Sequence, residues 1–317
     1  MSVRCCASCG TAESDAIKLT TCDACDFVLY CDEACQELHK PEHGAACSRR
    51  KAAELDKKLF QLPESNHMGD CPICLLPMPY GKKCSLFPCC SKTICNGCDY
   101  AIEISETERG TENLCPFCRH PVAETIEEAK RDIKKRVETD DPIAIREMGL
   151  CLNSEENYEG AFEYLSKAAD LDDVEAHYRL ADLYQNGHGV DKDEQMEAYH
   201  LEVAAIAGHP KARYNLGCIE GNNGRRKRAA KHLLISASLG DDLSLKLIRE
   251  EYATGRGHVS KEDFASALRA HQAAIAAMKS PERDLAEADG RNTCVAWDGS
   301  GLVDEDGVAI VDGSLGQ

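Results

Sequence analysis

Cysteines in close pairs dominate the first third of the chain, where 17 of its 20 fall between Cys5 and Cys118. Most stand two or three residues apart: Cys6 and Cys9, Cys22 and Cys25, Cys31 and Cys35, Cys71 and Cys74, Cys95 and Cys98, Cys115 and Cys118. This spacing brings two sulfurs to the mouth of one tight turn, about 2.3 Å from a shared ion, and two such pairs complete a closed tetrahedral zinc site. Disulfides are the competing chemistry, but with no apolar leader at the N-terminus the pairs read as metal ligands. The ligands suffice for about four zinc ions.

The elements that must position these residues are short. The cysteine-rich part lacks the long apolar runs of a conventional core, so metal must replace burial as its source of folding free energy. The 317 residues are 43% hydrophobic but only 5% aromatic, which suits several small domains better than one large enzyme core. A formal net charge of −18 argues against nucleic-acid binding by phosphate neutralisation. No stretch of about 18 apolar residues is present, so no membrane partner is expected and the reading is a soluble, intracellular protein, cytoplasmic or nuclear. The one basic run, Arg225 to Arg228, reads as the solvated start of a helix rather than an import signal.

In the first module Cys6, Cys9, Cys22, Cys25, Cys31, Cys35, His43 and Cys47 supply eight ligands, enough for two sites. Cys5 beside Cys6, and His39 one helical turn before His43, compete for two of those places. The segment from Cys6 to Cys47, with its Tyr30-Cys31 and Cys35-Gln36 steps and its closing His-x3-Cys, resembles a MYND finger. The resemblance implies interleaved pairs, with Cys6, Cys9, Cys31 and Cys35 on one ion and Cys22, Cys25, His43 and Cys47 on the other. It also implies a groove for proline-containing peptides, but Lys40 stands where the family often has tryptophan, so the fold carries over better than the peptide specificity.

A charged helix with Leu55, Leu59 and Leu62 on one stripe links to the second module, and Pro63 to Gly69 breaks it. There Cys71-Pro-Ile-Cys74, Pro88-Cys89-Cys90, Cys95-x2-Cys98 and Cys115-Pro-Phe-Cys118 resemble a RING finger of the all-cysteine kind, since no histidine occurs between His67 and His120. The resemblance implies a cross-brace, with Cys71, Cys74, Cys95 and Cys98 on one ion and Cys115 and Cys118 on the other. Cys84, Cys89 and Cys90 compete for the two remaining places; the spacing favours Cys89 and Cys90, although adjacent ligands need a turn because neighbours in an extended strand face opposite ways. It further implies that Ile73, Pro116 and Arg119 engage a ubiquitin-loaded conjugating enzyme, a positioning function without a covalent intermediate or a catalytic residue. Arg119 matches the linchpin arginine of that family.

From Asp141 the composition turns to alanine-rich amphipathic stretches. Ala144 to Leu152, Ala176 to Tyr184 and Ala212 to Ile219 echo one another at 32- and 36-residue intervals, the period of stacked helix pairs. Second helices are read at Ala161 to Ala169, Glu197 to Ala205 and Ala229 to Ala237. The loop Asn186-Gly-His-Gly-Val190 resembles the signature of Sel-like repeats, relatives of the tetratricopeptide class, which implies a superhelix with a concave face for a protein or peptide substrate. A fourth, degenerate unit runs from Asp241 to about Lys279. His177, His200, His209 and His232 read as packing or surface residues, and Cys151 and Cys218 as small core residues.

The expected fold is thus two small zinc-stabilised modules, a MYND finger and a cross-brace RING, followed by an all-α helical-repeat solenoid. Its expected divisions are a first finger over 1–50, a helical linker over 51–69, a second finger over 70–120, a charged helix over 121–140, repeats over 141–280 and a disordered tail over 281–317 containing Cys294 and Trp297. The leading functional expectation is a RING-type ubiquitin ligase that selects substrate through its repeats or its MYND finger; the alternative is a non-catalytic scaffold.

Overall fold

The structure, a computed structural model, describes residues 4–22, 28–79, 84–110 and 112–290. Cys25, Cys294, Trp297 and the rest of 291–317 lie outside the described residues. The chain divides into two units, 1–61 and 62–317.

In the first unit β1 (Thr20–Thr21) pairs antiparallel with β2 (Leu29–Tyr30), and a long helix, α1 (Glu33–Leu59), follows. Asp32 starts the helix by accepting the Cys35 amide at 2.7 Å. The helix runs through the site of Pro41 and continues into the segment expected as a separate linker. The expected apolar stripe is not buried as a unit, for Leu59 is buried whereas Leu55 is exposed. The core of this unit is Cys6, Leu19, Cys22, Tyr30 and Cys47, so three of its five buried members are candidate ligands.

In the second unit a hairpin of β3 (Cys84–Phe87) and β4 (Lys92–Cys95) leads into α2 (Asn96–Arg109), which stops at Gly110 in the left-handed conformation. A charged helix, α3 (Ile126–Val137), begins at a Thr125 cap. Helix pairs follow: α4 (Pro142–Ser154) with α5 (Tyr158–Asp170), α6 (Val174–Asn186) with α7 (Glu194–Ile206), α8 (Pro210–Asn222) with α9 (Arg226–Ser238), and α10 (Asp242–Ala253) with α11 (Lys261–Ala277). Equivalent residues cap the first helix of each pair: Asp141, Asp173, His209 and Asp241. Small residues let the paired helices close, as at Ala161, Ala168, Ala176, Ala204 and Ala212, all essentially fully buried.

The tail expected from residue 281 begins instead with a helix, α12 (Pro281–Ala288). Ser280 caps it, Pro281 occupies its first turn, and Arg283 and Ala286 are buried against neighbours. The segment from Pro63 to Gly69 is likewise more than a break, because the His67 amide donates to the Gly208 carbonyl at 3.3 Å and the His67 ring stacks on His209.

Candidate metal centres and the exposed turns around them

Four groups of thiols and imidazoles bring their ligand atoms within 4.8 Å of one another: Cys6, Cys9, Cys31 and Cys35; Cys22, His43 and Cys47; Cys71, Cys74, Cys95 and Cys98; Cys89, Cys90, Cys115 and Cys118. A tetrahedron of sulfurs 2.3 Å from zinc has edges of roughly 3.8 Å. The Sγ–Sγ distances are 3.5 Å for Cys9–Cys31, 3.8 Å for Cys22–Cys47, 3.8 Å for both Cys71–Cys98 and Cys74–Cys95, 3.6 Å for Cys90–Cys115 and 3.4 Å for Cys89–Cys118. These fit zinc coordination and lie far outside a covalent S–S bond of about 2.05 Å. The donor sets are all-thiolate or thiolate with imidazole, which suits zinc.

Between Cys71 and Cys95 the proton is shared unequally. A hydrogen bond from Cys95, opposed by burial, brings the Cys71 thiol down to about 4, while Cys95 is pushed up because it supplies that proton. Four such thiols cannot ionise together without a cation, and a divalent metal supplies that charge.

Of the residues competing in the first finger, Cys6 and His43 lie in ligand groups. His39 is within hydrogen-bond distance of the Tyr30 hydroxyl, 3.0 Å from its Nδ1, and stacks on His43. Cys5 is exposed and forms an isolated bridge with Ala12. Cys22 meets His43 and Cys47, and its sequence partner Cys25 lies outside the described residues.

In the second finger Cys89 and Cys90 face one site together because the chain turns there: the amides of Cys90 and Ser91 both donate to the Phe87 carbonyl, and Ser91 has φ of 56°. Cys84 pairs in register with Cys95 in the hairpin and is buried in the finger's core. The first and last cysteine pairs make matching turns. The Leu75 amide returns to the Cys71 carbonyl at 2.8 Å and the Arg119 amide to the Cys115 carbonyl at 2.9 Å, with Leu75 and Arg119 at φ of 58° and 62°. On these turns Ile73, Leu75, Pro116, Phe117 and Arg119 are all exposed.

A further group, His67, Glu175 and His209, has metal-like spacing but a different chemistry. His209 Nδ1 accepts the Ala212 amide as the cap of α8, so Nε2 carries the proton and donates to Glu175 Oε2 at 3.0 Å. That tautomer has no lone pair to offer a metal at Nε2. Burial opposes ionisation of Glu175, yet Arg179, His209 and His67 hold its carboxyl well below the ordinary range. The role of His209 is therefore capping, legible in the sequence only as the place where histidine substitutes for the aspartate of the other repeats. Beside this group a cleft of about 590 Å³ opens between the hairpin and the first repeats, walled by Lys92, Arg146, Glu147, Tyr178, Arg179 and Lys211.

Comparison with known families agrees with two of the three parts. Residues 6–47 match the MYND finger, and 143–173, 174–209 and 210–241 each match the Sel1 repeat. The chain carries a MYND finger and Sel1 repeats. The MYND finger binds zinc, and Sel1 repeats generally mediate protein–protein interaction. The family matches leave out the second finger, α10 and α11.

Among solved structures, a Sel1 repeat protein from Oxalobacter formigenes is 20% identical, with a TM-score of 0.43 over 60% of this chain and 84% of that one. A protective antigen of uropathogenic Escherichia coli strains, displaying an SLR fold, is 24% identical, with a TM-score of 0.39 over 54% of this chain and 36% of that one. The comparison with curated proteins gives no match. Among the described residues no helix is long and apolar enough to cross a membrane.

Proposed function

We propose that this MYND and Sel1-repeat scaffold also carries a RING-type ubiquitin ligase module, its second finger. The observation that carries the reading is the interleaving of ligand pairs, first with third and second with fourth, combined with apolar and cationic residues exposed on the two outer turns. In such a module each of the two ions binds two separated pairs, which braces Ile73 and Arg119 on fixed turns. Ile73 and Pro116 would meet the conjugating enzyme, and the planar guanidinium of Arg119 would donate at once to carbonyls of the enzyme and of ubiquitin. Catalysis is then positional, since the thioester-linked tail is held in a reactive pose. All sixteen predicted ligands, Cys25 included, belong to this reading, with about four zinc ions. Substrate would reach the repeats or the MYND finger, and the 590 Å³ cleft offers a charged entry beside the second finger.

The test is discharge of ubiquitin from a panel of loaded conjugating enzymes to free lysine. The wild-type chain should accelerate discharge from at least one of them, and Ile73→Ala and Arg119→Ala should each lose about tenfold or more while retaining their zinc. No acceleration across a broad panel would instead establish the non-catalytic scaffold.

A further inference from the structure

The last described helix returns to a metal site 209 residues earlier in the chain. Arg283, the third residue of α12, is buried at 6% exposure. Its Nη1 donates to the Pro77 carbonyl at 2.8 Å and to the Met278 carbonyl at 2.6 Å. Its Nη2 donates to Cys74 Sγ at 3.4 Å and approaches the Leu76 carbonyl at 3.5 Å. One guanidinium thus joins the start of α12, the turn after Cys74 and a ligand sulfur.

The fit is close on the other side as well. Gly97 lies between Cys95 and Cys98 at the start of α2, and a Cβ there would stand 2.6 Å from the Arg283 backbone nitrogen and 2.9 Å from its Cα. Glycine is required for α12 to sit against this turn. Ala286, one turn after Arg283, is fully buried.

A zinc ion held by four thiolates carries a net charge of −2, and charge-assisted N–H···S bonds from outside the ligand shell lower that density and fix the ligands. Burying an arginine without a counter-charge is costly, so the guanidinium in turn needs the anionic site. We propose that Arg283 is a latch: it ties α12 to the Cys74 turn, so that metal occupancy at Cys71, Cys74, Cys95 and Cys98 and docking of α12 on α2 stabilise each other. The coupling is reciprocal by linkage. It rests on the reading of this cysteine group as a zinc site, and Arg283 acts on the metal through Cys74, as a positioning residue.

Thiol alkylation in the presence of a chelator, followed by peptide mapping of the full-length protein, reads each site separately. Hydrogen exchange of the 278–288 peptide reads α12 in the same samples. Cys74 should become alkylated about tenfold faster or more in Arg283→Met than in wild type, the usual scale for loss of such a partner. Cys115 and Cys118 serve as an internal reference that should not change. Arg283→Lys, which keeps the charge without the fork, should fall between the two. Gly97→Val, which displaces α12 while leaving Arg283 intact, should match Arg283→Met. Removing zinc from wild type should in turn speed exchange in α12.

If α12 loosens in Arg283→Met while Cys74 alkylates at the wild-type rate, the residue is only structural and the latch is wrong. If wild-type Cys74, Cys115 and Cys118 all alkylate at once without chelator, the metal-site reading fails and the latch with it. Circular dichroism of each variant checks that the repeats stay folded.

Discussion

His177 Nδ1 and His200 Nδ1 lie 2.8 Å apart between α6 and α7, so one ring donates, the other accepts, and the accepting ring cannot take up a proton at Nδ1 without breaking the bond. Burial lowers His177 and, joined by repulsion from His177, brings His200 down from its ordinary 6.5 to about 4. The folded pKa is depressed, so the unfolded chain takes up the proton first as pH falls. The stability from the neutral ring is complete above about pH 6.5 and is lost as pH drops toward 4. His200 alone is worth on the order of 3 kcal/mol over that window. Thermal unfolding from pH 7 to 4.5 should therefore show a shallower acid limb in His200→Phe than in wild type, and the comparison cancels acid loss of zinc, which both share; parallel curves would refute it. At the same scale, Cys6→Ser and His43→Ala should each lower bound zinc by about one ion. Cys5→Ser and His39→Ala should leave it unchanged, since Cys5 is outside the ligand groups and His39 pairs with Tyr30. Elemental analysis of the purified variants decides this.

At the scale of elements, the helix pairs are legible because the repeats write the same local instructions: an aspartate cap, replaced by His209 in the third, an apolar stripe and small residues at the pair contact. The loop from Asn186 to Val190 shows why its glycines belong to that pattern. Gly189 has φ of 70°, and a Cβ there would stand 2.2 Å from the Tyr158 carbonyl oxygen, so the loop lies flat on the start of α5 while His188 stacks on Tyr158. Gly189→Ala combines left-handed strain with a clash against backbone that cannot rotate away. It should cost more than about 2 kcal/mol, seen as a lower urea midpoint for loss of helical circular dichroism. A midpoint within error of wild type would mean that the loop can lift without disturbing the pair. Ligand pairs are legible for a similar reason, since two residues apart is a local spacing. Which pairs meet is set by the hairpin and by the turn at Phe87 to Ser91, and adjacency of Cys89 and Cys90 in the sequence carries no sign of that turn. The docking of α12 is less legible still. Nothing in the sequence from Ser280 to Ala288 points to Cys74, because a contact across 209 residues is encoded only in the shape of the packed solenoid.

For the molecule as a whole, the second finger is built into the repeat unit rather than strung beside it. His67 stacks on His209, His120 Nε2 lies 3.2 Å from Asp132 on α3, and Arg283 reaches from α12 to Cys74. Finger cysteines and repeat helices therefore share one cooperative structure, and a metal that binds only the folded finger must stabilise the helices too. The same logic separates this arrangement from independent domains on a flexible linker, in which chelation would unfold the finger and leave the repeats untouched. In the full-length chain, removing zinc should lower the midpoint of the helical transition at 222 nm by roughly 5–10 °C, the shift that a loss of about 2–3 kcal/mol produces in a unit of this size. An unchanged midpoint, with the finger cysteines fully alkylatable, would show that these three contacts contribute nothing to the repeats. A lowered midpoint would mean that any surface the repeats offer a partner is held in shape by the metal sites of the finger, so that zinc supply, through the finger, sets what the solenoid can bind.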